Sequence, residues 1–174
     1  MRVAGQEIWA HRFGKWVKIL SDEVYPGEVI ILKKNKDKAA SVPCDLLILS
    51  GSAVVNEAIL TGESQPLVKE SIAHLDDEDC LLDIKGQHRM HILNGGTSIL
   101  QFIPSETTEE FEHLAKPPVP GVMCYVLKNG FETKQGKLMR TILFSTERVT
   151  VESTETYFYL LILLFFALIA SYYV

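Results

Sequence analysis

V-V-N-E-A-I-L-T-G-E-S-Q-P-L-V-K-E, residues 54–70, is the stretch from which the rest of the chain is read. An apolar, partly β-branched run reaches Leu60 and gives way to Thr61-Gly62-Glu63-Ser64, and Pro66 keeps a strand ladder from resuming at once. Thr61 and Ser64 carry hydroxyls that can bond nearby backbone and hold a turn in one shape. Gly62 allows a backbone conformation, or an approach, that a side chain would forbid. Glu63 is therefore expected to project from a stiffened loop, where a carboxylate can orient water for attack on an electrophile, as a general base does. The same residues also suit an ordinary hairpin turn with Glu63 as a solvated acid. Residue chemistry alone leaves both readings open.

The 174 residues suffice for one domain with a genuine core. A net charge of −5, with no long basic block, excludes a nucleic-acid surface as the organising feature. Cys44, Cys80 and Cys124 are far apart and form no C-x-x-C, and the N-terminus carries no secretory signal. That usage fits a reducing cytosolic compartment rather than a disulfide framework. His88 and His91 are the one close histidine pair, with no cysteine or carboxylate cluster nearby, so a surface or strand-edge role is expected rather than a metal site. The acids at 76–79 lack the alternation and glycine of a calcium loop and read as a solvated loop or helix start.

Short apolar segments at close spacing predict an all-β sandwich or barrel. The first fourteen residues carry little signal, whereas K-W-V-K-I-L (15–20) alternates as a strand does. A Pro-Gly turn at 25–28 precedes a second strand at 29–32, and the lysine-rich run at 33–38 reads as a solvated loop. Residues 46–49 and 53–56, joined through Gly51, read as a hairpin whose Leu46, Leu47, Ile48, Leu49, Val54 and Val55 supply part of the core. A second hairpin is expected from 90–93 and 97–103 around Gly95-Gly96. Four prolines make 104–121 a long loop, 122–128 alternates into a further strand, and 136–144 reads as a short amphipathic helix with Leu138, Ile142 and Phe144 on its buried side.

Residues 157–174 are uncharged and apolar. As a helix they span about 27 Å, slightly less than the roughly 30 Å hydrocarbon core of a bilayer. A buried core helix would show a polar face, and here only Ser171 and tyrosine hydroxyls are polar. The expectation is a transmembrane helix cut short by the end of the chain. Lys134, Lys137, Arg140 and Arg148 precede it and no charge follows, which places the β domain in the cytosol by the positive-inside rule. The expected organisation is a cytosolic domain over 1–144, a linker over 145–156 and the membrane helix over 157–174.

Taken together the motifs resemble the actuator domains of P-type ATPases over nearly the whole chain. T-G-E-S is similar to their dephosphorylation loop, and S-D-E-V-Y-P-G-E-V-I to their L-V-P-G-D-I-V opening, with Glu28 in place of the usual Asp. V-P-C-D-L-L-I-L-S-G matches their P-A-D segment with Cys44 for Ala, and N-G-G-T-S-I-L-Q and N-G-F-E-T-K-Q-G-K-L match later elements. V-P-C-D, N-E-A-I-L-T-G-E-S with Ala58 where other pumps usually have Ser, and K-Q-G-K-L-M-R-T-I-L-F look most like type V, subgroup A, the endoplasmic-reticulum ATPases that dislocate misplaced transmembrane helices.

The resemblance implies a mainly β, distorted jelly-roll actuator domain leading into a transmembrane helix of an endoplasmic-reticulum membrane ATPase. It implies that Glu63 positions the water that hydrolyses an aspartyl-phosphate, with Thr61, Gly62 and Ser64 shaping the loop. Implied partners are membrane lipid, the phosphorylation domain of the same ATPase and a transmembrane helix as substrate, and no nucleic acid. No D-K-T-G-T stretch occurs, so ATP and magnesium are expected in domains beyond this chain, which itself binds no cofactor and is not expected to be active alone. Rival readings are a membrane-tethered β module that binds a partner, the actuator of a cation- or polyamine-transporting ATPase, and a stand-alone acyl-phosphate hydrolase. The last lacks any sequence for a phosphate cradle.

Overall fold

In the computed structural model, residues 5–33, 41–75, 80–84, 86–104, 116–149 and 152–173 are described. Short apolar runs bounded by turn residues become strands: β1 (Glu7–Arg12), β2 (Lys15–Leu20), β3 (Val29–Leu32), β4 (Asp45–Ser50), β5 (Ser52–Asn56), β6 (Pro66–Glu70), β7 (Ile92–Leu93), β8 (Ser98–Ile103) and β9 (Val122–Lys128). The helices are a single turn α1 (Ala58–Thr61), then α2 (Lys134–Val149) and α3 (Glu152–Tyr173). Six strands form one sheet in the order β2-β1-β3-β9-β4-β7, and β6-β5-β8 form a second. All pairings are antiparallel. The mainly β fold with its C-terminal helix is as the sequence predicts, and both sheets stay open rather than closing into a barrel.

One core joins the two sheets. Ile30, Leu46, Ile48, Val122 and Val126 of the larger sheet cluster with Ala53, Val55 and Ile99 of the smaller. β4 sits between β9 and β7 and is buried along Asp45–Ile48, which is why its sequence is a continuous apolar run rather than an alternating one. Leu46, Leu47, Ile48 and Val55 are buried as expected, while Leu49 and Val54 are half-buried.

Neither expected hairpin forms. β4 pairs with β7 and β9, and β5 with β6 and β8, so Gly51 carries the chain from one sheet to the other. A single linking residue is shorter than the usual hairpin loop, and Gly51 takes a left-handed φ of 87° that turns the chain out of the first sheet. The segment after β7 makes the same switch, since β7 joins β4 while β8 joins β5. The strands missed by the sequence reading are β6 and β1. β6 starts at Pro66 and pairs with β5 at once, against the expectation that Pro66 delays the ladder, because an edge strand tolerates a residue without an N–H. In β1, Ile8 and Ala10 point inward from between charged and aromatic neighbours. Its Arg12 bonds Glu28 in the Pro-Gly turn at 2.5 and 3.1 Å. That guanidinium holds the Glu28 carboxyl below its ordinary value, against the opposing effect of burial.

The chain divides into two compact units, Met1–Gly136 and Lys137–Val174. α2 is longer than expected and runs through residues 145–149 of the expected linker. Leu138, Ile142 and Phe144 are exposed, which corrects the expectation of a buried face. The β unit's own packing ends at Gly136, where an added Cβ would collide with Gly130 O and lie 2.6 Å from the Phe131 Cα. In α3 the apolar window Thr156–Tyr173 has a mean hydropathy of 1.8 and no buried residue, which is consistent with the start of a transmembrane helix. The expectations for the lysines past Lys33, for the acids at 76–79 and for most of the loop at 104–121 lie outside the described residues.

Leu46→Ala is expected to lower stability by about 2–5 kcal/mol, because a fully buried central-strand side chain would leave a cavity. Lys33→Ala, at an exposed position, is expected to change it by less than about 0.5 kcal/mol. Urea unfolding of the two variants measures the contrast, and equal losses would overturn this description of the core.

Candidate functional site

β5 ends at Asn56, and the chain then turns back into β6 by way of one helical turn. The turn has a local cause. Asn56 Oδ1 accepts from Ala58 N at 2.9 Å, capping the first orphan donor as an Asx residue does. The carbonyl of Glu57 then accepts three bonds: Leu60 N at 2.9 Å, Thr61 N at 3.0 Å and Thr61 Oγ1 at 3.1 Å. Gly62 closes the turn in the left-handed conformation, φ 80°, with its N–H on Ala58 O at 2.9 Å. Thr61 Oγ1 finally accepts from Glu63 N at 3.2 Å. The expected plain turn is thus a capped helical turn, too short for any periodicity to reveal.

Residues 61–64 are all exposed, and Glu63 stands at the exit of this hydrogen-bonded turn. The structure therefore brings Thr61, Gly62 and Glu63 into one ordered loop. Thr61 holds the Glu63 amide, and Gly62 supplies the backbone conformation that lets the chain leave the helix. Ser64 lies beside them in the same exposed loop.

Beneath the loop lies a feature the sequence reading missed. Glu57 and Lys69 are buried, their side chains 3% and 0% exposed, and pair at 3.1 Å. The same Glu57 oxygen accepts from Asn94 Nδ2 at 2.9 Å, and Lys69 Nζ donates to Arg89 O at 2.9 Å. Burial pushes the Lys69 ammonium below its ordinary value, and Glu57 pulls it back up. An ion pair this deep returns little net stability, but losing one partner alone costs about 3–5 kcal/mol, because the other charge is left buried and unpaired. No alternation signals it in the sequence: Lys69 is the buried position of β6, while Pro66, Val68 and Glu70 face outward.

Three of the sequence motifs meet close by. In N-G-G-T, Asn94 reaches Glu57 and Gly95 lets the backbone pass Cys44, whose Cα would be 3.2 Å from an added Cβ. Asp45 of V-P-C-D accepts from Gly95 N at 2.8 Å and from Lys134 N at 3.0 Å, so it fixes that turn and the start of α2 together. Thr133 accepts from Gly136 N at 3.0 Å and caps α2. Cys44 and Cys124 are buried, and burial pushes the Cys44 thiol up to about 12, so it is an inert packing group. No cluster of three or more metal-ligating side chains occurs among the described residues. His88, expected at the surface or a strand edge, is instead buried, its Nδ1 accepting from Asp83 N at 2.8 Å.

The family profile of the P-type ATPase actuator domain matches residues 4–143. The chain belongs to that family. It is 46% identical, over all of its length, to a probable manganese-transporting ATPase of Arabidopsis thaliana, covering 14% of that protein. It is 43% identical over 92% of its length to the endoplasmic reticulum transmembrane helix translocase of Saccharomyces cerevisiae, covering 13%. The helix translocase of Schizosaccharomyces pombe is also 43% identical, across 100% of the chain and 14% of its own length. The chain thus spans about a seventh of the curated relatives it matches. Among solved structures, a zinc-transporting PIB-type ATPase shares the fold at a TM-score of 0.52, with 19% identity over 85% of this actuator chain and 18% of that one.

Gly62→Ala is expected to destabilise the actuator by about 1–2 kcal/mol, because its φ of 80° strains any side chain although no atom lies within 4 Å of an added Cβ. Gly62→Asn should cost less, since Asn tolerates the left-handed region. Chemical denaturation compares the two, and a neutral Gly62→Ala would mean that the turn is not held in this conformation.

Proposed function

We propose that this chain is the actuator portion of an ATP-hydrolysing membrane translocase and that Glu63 serves its dephosphorylation step. One observation carries the reading: an exposed carboxylate follows a fully hydrogen-bonded turn, so it is presented outward yet held from behind. In the proposed step the loop enters the phosphorylation site of another domain, and Glu63 accepts a hydrogen bond from a water placed in line with phosphorus. The water oxygen bonds to phosphorus as the aspartyl oxygen–phosphorus bond breaks. Inorganic phosphate leaves, the aspartate carboxylate is regenerated, and the water's proton passes by way of Glu63. Water is a poor nucleophile and positioning supplies much of the rate, so a fixed carboxylate is the group this step requires. Thr61 and Gly62 shape the loop so that its backbone can approach the phosphoryl group, and Ser64 completes the turn. ATP and magnesium act in the phosphorylation and nucleotide-binding parts of such a protein, not on residues of this chain.

The membrane and the substrate belong to the same proposal. The apolar window of α3 is long enough to enter a bilayer, and the basic residues on its N-terminal side favour a cytosolic actuator over residues 1–144, joined through residues 145–156 to a membrane helix over 157–174. Similarity to the yeast helix translocases supports the endoplasmic reticulum membrane and a transmembrane helix as substrate. A second reading, a manganese pump, is supported by the Arabidopsis relative. Stimulation of the purified full-length ATPase by a transmembrane peptide or by Mn²⁺ distinguishes the two.

In the full-length ATPase, Glu63→Gln is expected to leave phosphoenzyme formation from ATP intact and to slow turnover by about 10²–10⁴-fold. Phosphoenzyme lifetime after an ATP chase is the measurement, and normal decay would return Glu63 to a solvated turn residue. Protease added outside sealed microsomes is expected to digest the β domain, and full protection would overturn the cytosolic placement.

A further inference from the structure

We propose that Glu57 is a positioning residue for Glu63, clamped by Lys69 and Asn94 so that its carbonyl fixes the dephosphorylation loop. The proposal rests on the actuator reading above and deepens it.

The connection is an unbroken line of hydrogen bonds from the core to the loop. Lys69 Nζ on β6 and Asn94 Nδ2 after β7 hold Glu57 Oε1 at 3.1 and 2.9 Å. The carbonyl of the same residue receives the Thr61 amide and hydroxyl, and that hydroxyl receives the Glu63 amide at 3.2 Å. Glu57 therefore has its side chain anchored in the interior and its backbone anchoring the turn. Rotating either would break bonds at both ends.

Energetics point the same way. A buried pair of opposite charges seldom stabilises a fold more than apolar residues of the same size would. What such a pair supplies is direction, because a charged hydrogen bond fixes where its partners sit. Lys69 reaches from β6 to Glu57 just after β5 and to the carbonyl of Arg89, so it gathers three segments at the base of one loop. Leu, Met or Ile there could pack as well, but none could set the orientation of the Glu57 peptide.

The test uses the double variant Glu57→Gln/Lys69→Met, which removes both charges and nearly keeps the volume. A merely structural pair predicts unchanged loop and unchanged kinetics once folding is intact. A positioning role predicts a folded protein with a loosened loop. In the detergent-solubilised chain, peptides covering residues 57–64 should exchange amide hydrogens at least about fivefold faster, while peptides from β3 and β9 exchange as before. In the full-length ATPase, phosphoenzyme should form with unchanged KM for ATP and decay about 10–100-fold more slowly. Should the double variant not fold, as judged by circular dichroism, Asn94→Ala removes one arm of the clamp, keeps the ion pair and is read in the same two ways. Normal exchange at 57–64 in a folded variant would overturn the clamp. Faster exchange with normal decay would overturn its role in positioning. A normally decaying Glu63→Gln control would instead overturn the dephosphorylation role of Glu63 while leaving the exchange result to judge the clamp.

Discussion

An ammonium group with no exposed surface must find its bonds inside the protein, and in this actuator that requirement organises the ground under the loop at residues 61–64. Lys69 enters the interior from β6, and its partners come from the end of β5 and from the segment that precedes β7. β6 and β5 belong to the smaller sheet and β7 to the larger, so satisfying one cation fixes the two sheets against each other at this corner. Desolvation of both charges opposes folding, and their attraction offsets much of it only while the geometry holds. The apolar cluster of Ile30, Leu46, Ile48 and Val55 provides the net driving force. The ion pair decides where the force places the loop.

The short polar motifs acquire a common meaning from that corner. Asp45 opens β4 yet spends its carboxylate on Gly95 N and Lys134 N, and Asn94 beside Gly95 turns to Glu57. One turn, residues 94–97, is thus held from one side by the strand that opens with Asp45 and itself holds the residue beneath the loop at residues 61–64. Gly95 can occupy it because a Cβ would press on Cys44. Backbone donors and carboxylate acceptors inside a dry site are worth more than on a surface, and leaving any of them unpaired is costly. Motifs that look independent along the chain are therefore parts of one network.

Much of this fold was legible in the sequence, and the failures have physical reasons. Residues 15–20, 29–32 and 122–128 show the period or apolar density of strands, and they are strands. The two hairpins were misread because a glycine between apolar runs looks the same whether the chain reverses within a sheet or crosses to another. Pairing partners lie tens of residues away, as Leu46 and Leu93 do. β1 escaped because Trp9, His11 and Arg12 mask the inward alternation of Ile8 and Ala10. At the site, Thr61, Gly62 and Glu63 could be named from chemistry and resemblance. Glu57 and Lys69 could not, since charged residues read as solvated unless their partner is known, and theirs is twelve positions away and supplied by the return of β6 along β5.

On the proposed role of Glu63 in dephosphorylation, one turn divides two tasks between like side chains, Glu57 and Glu63. Glu57 is buried, bonded and unable to meet a substrate, while Glu63 is exposed and bonded only through its backbone. A solvated carboxylate does little chemistry in water, and it becomes useful when docking brings it into a water-poor site opposite an electrophile. Docking could also be the moment at which a mobile loop loses its entropy, and that loss would subtract from the rate. Here the ordering has already been done during folding, by bonds that lie behind the loop and never touch the reacting atoms. The side chain of Glu63 keeps its freedom to meet water, and its backbone does not have to be found.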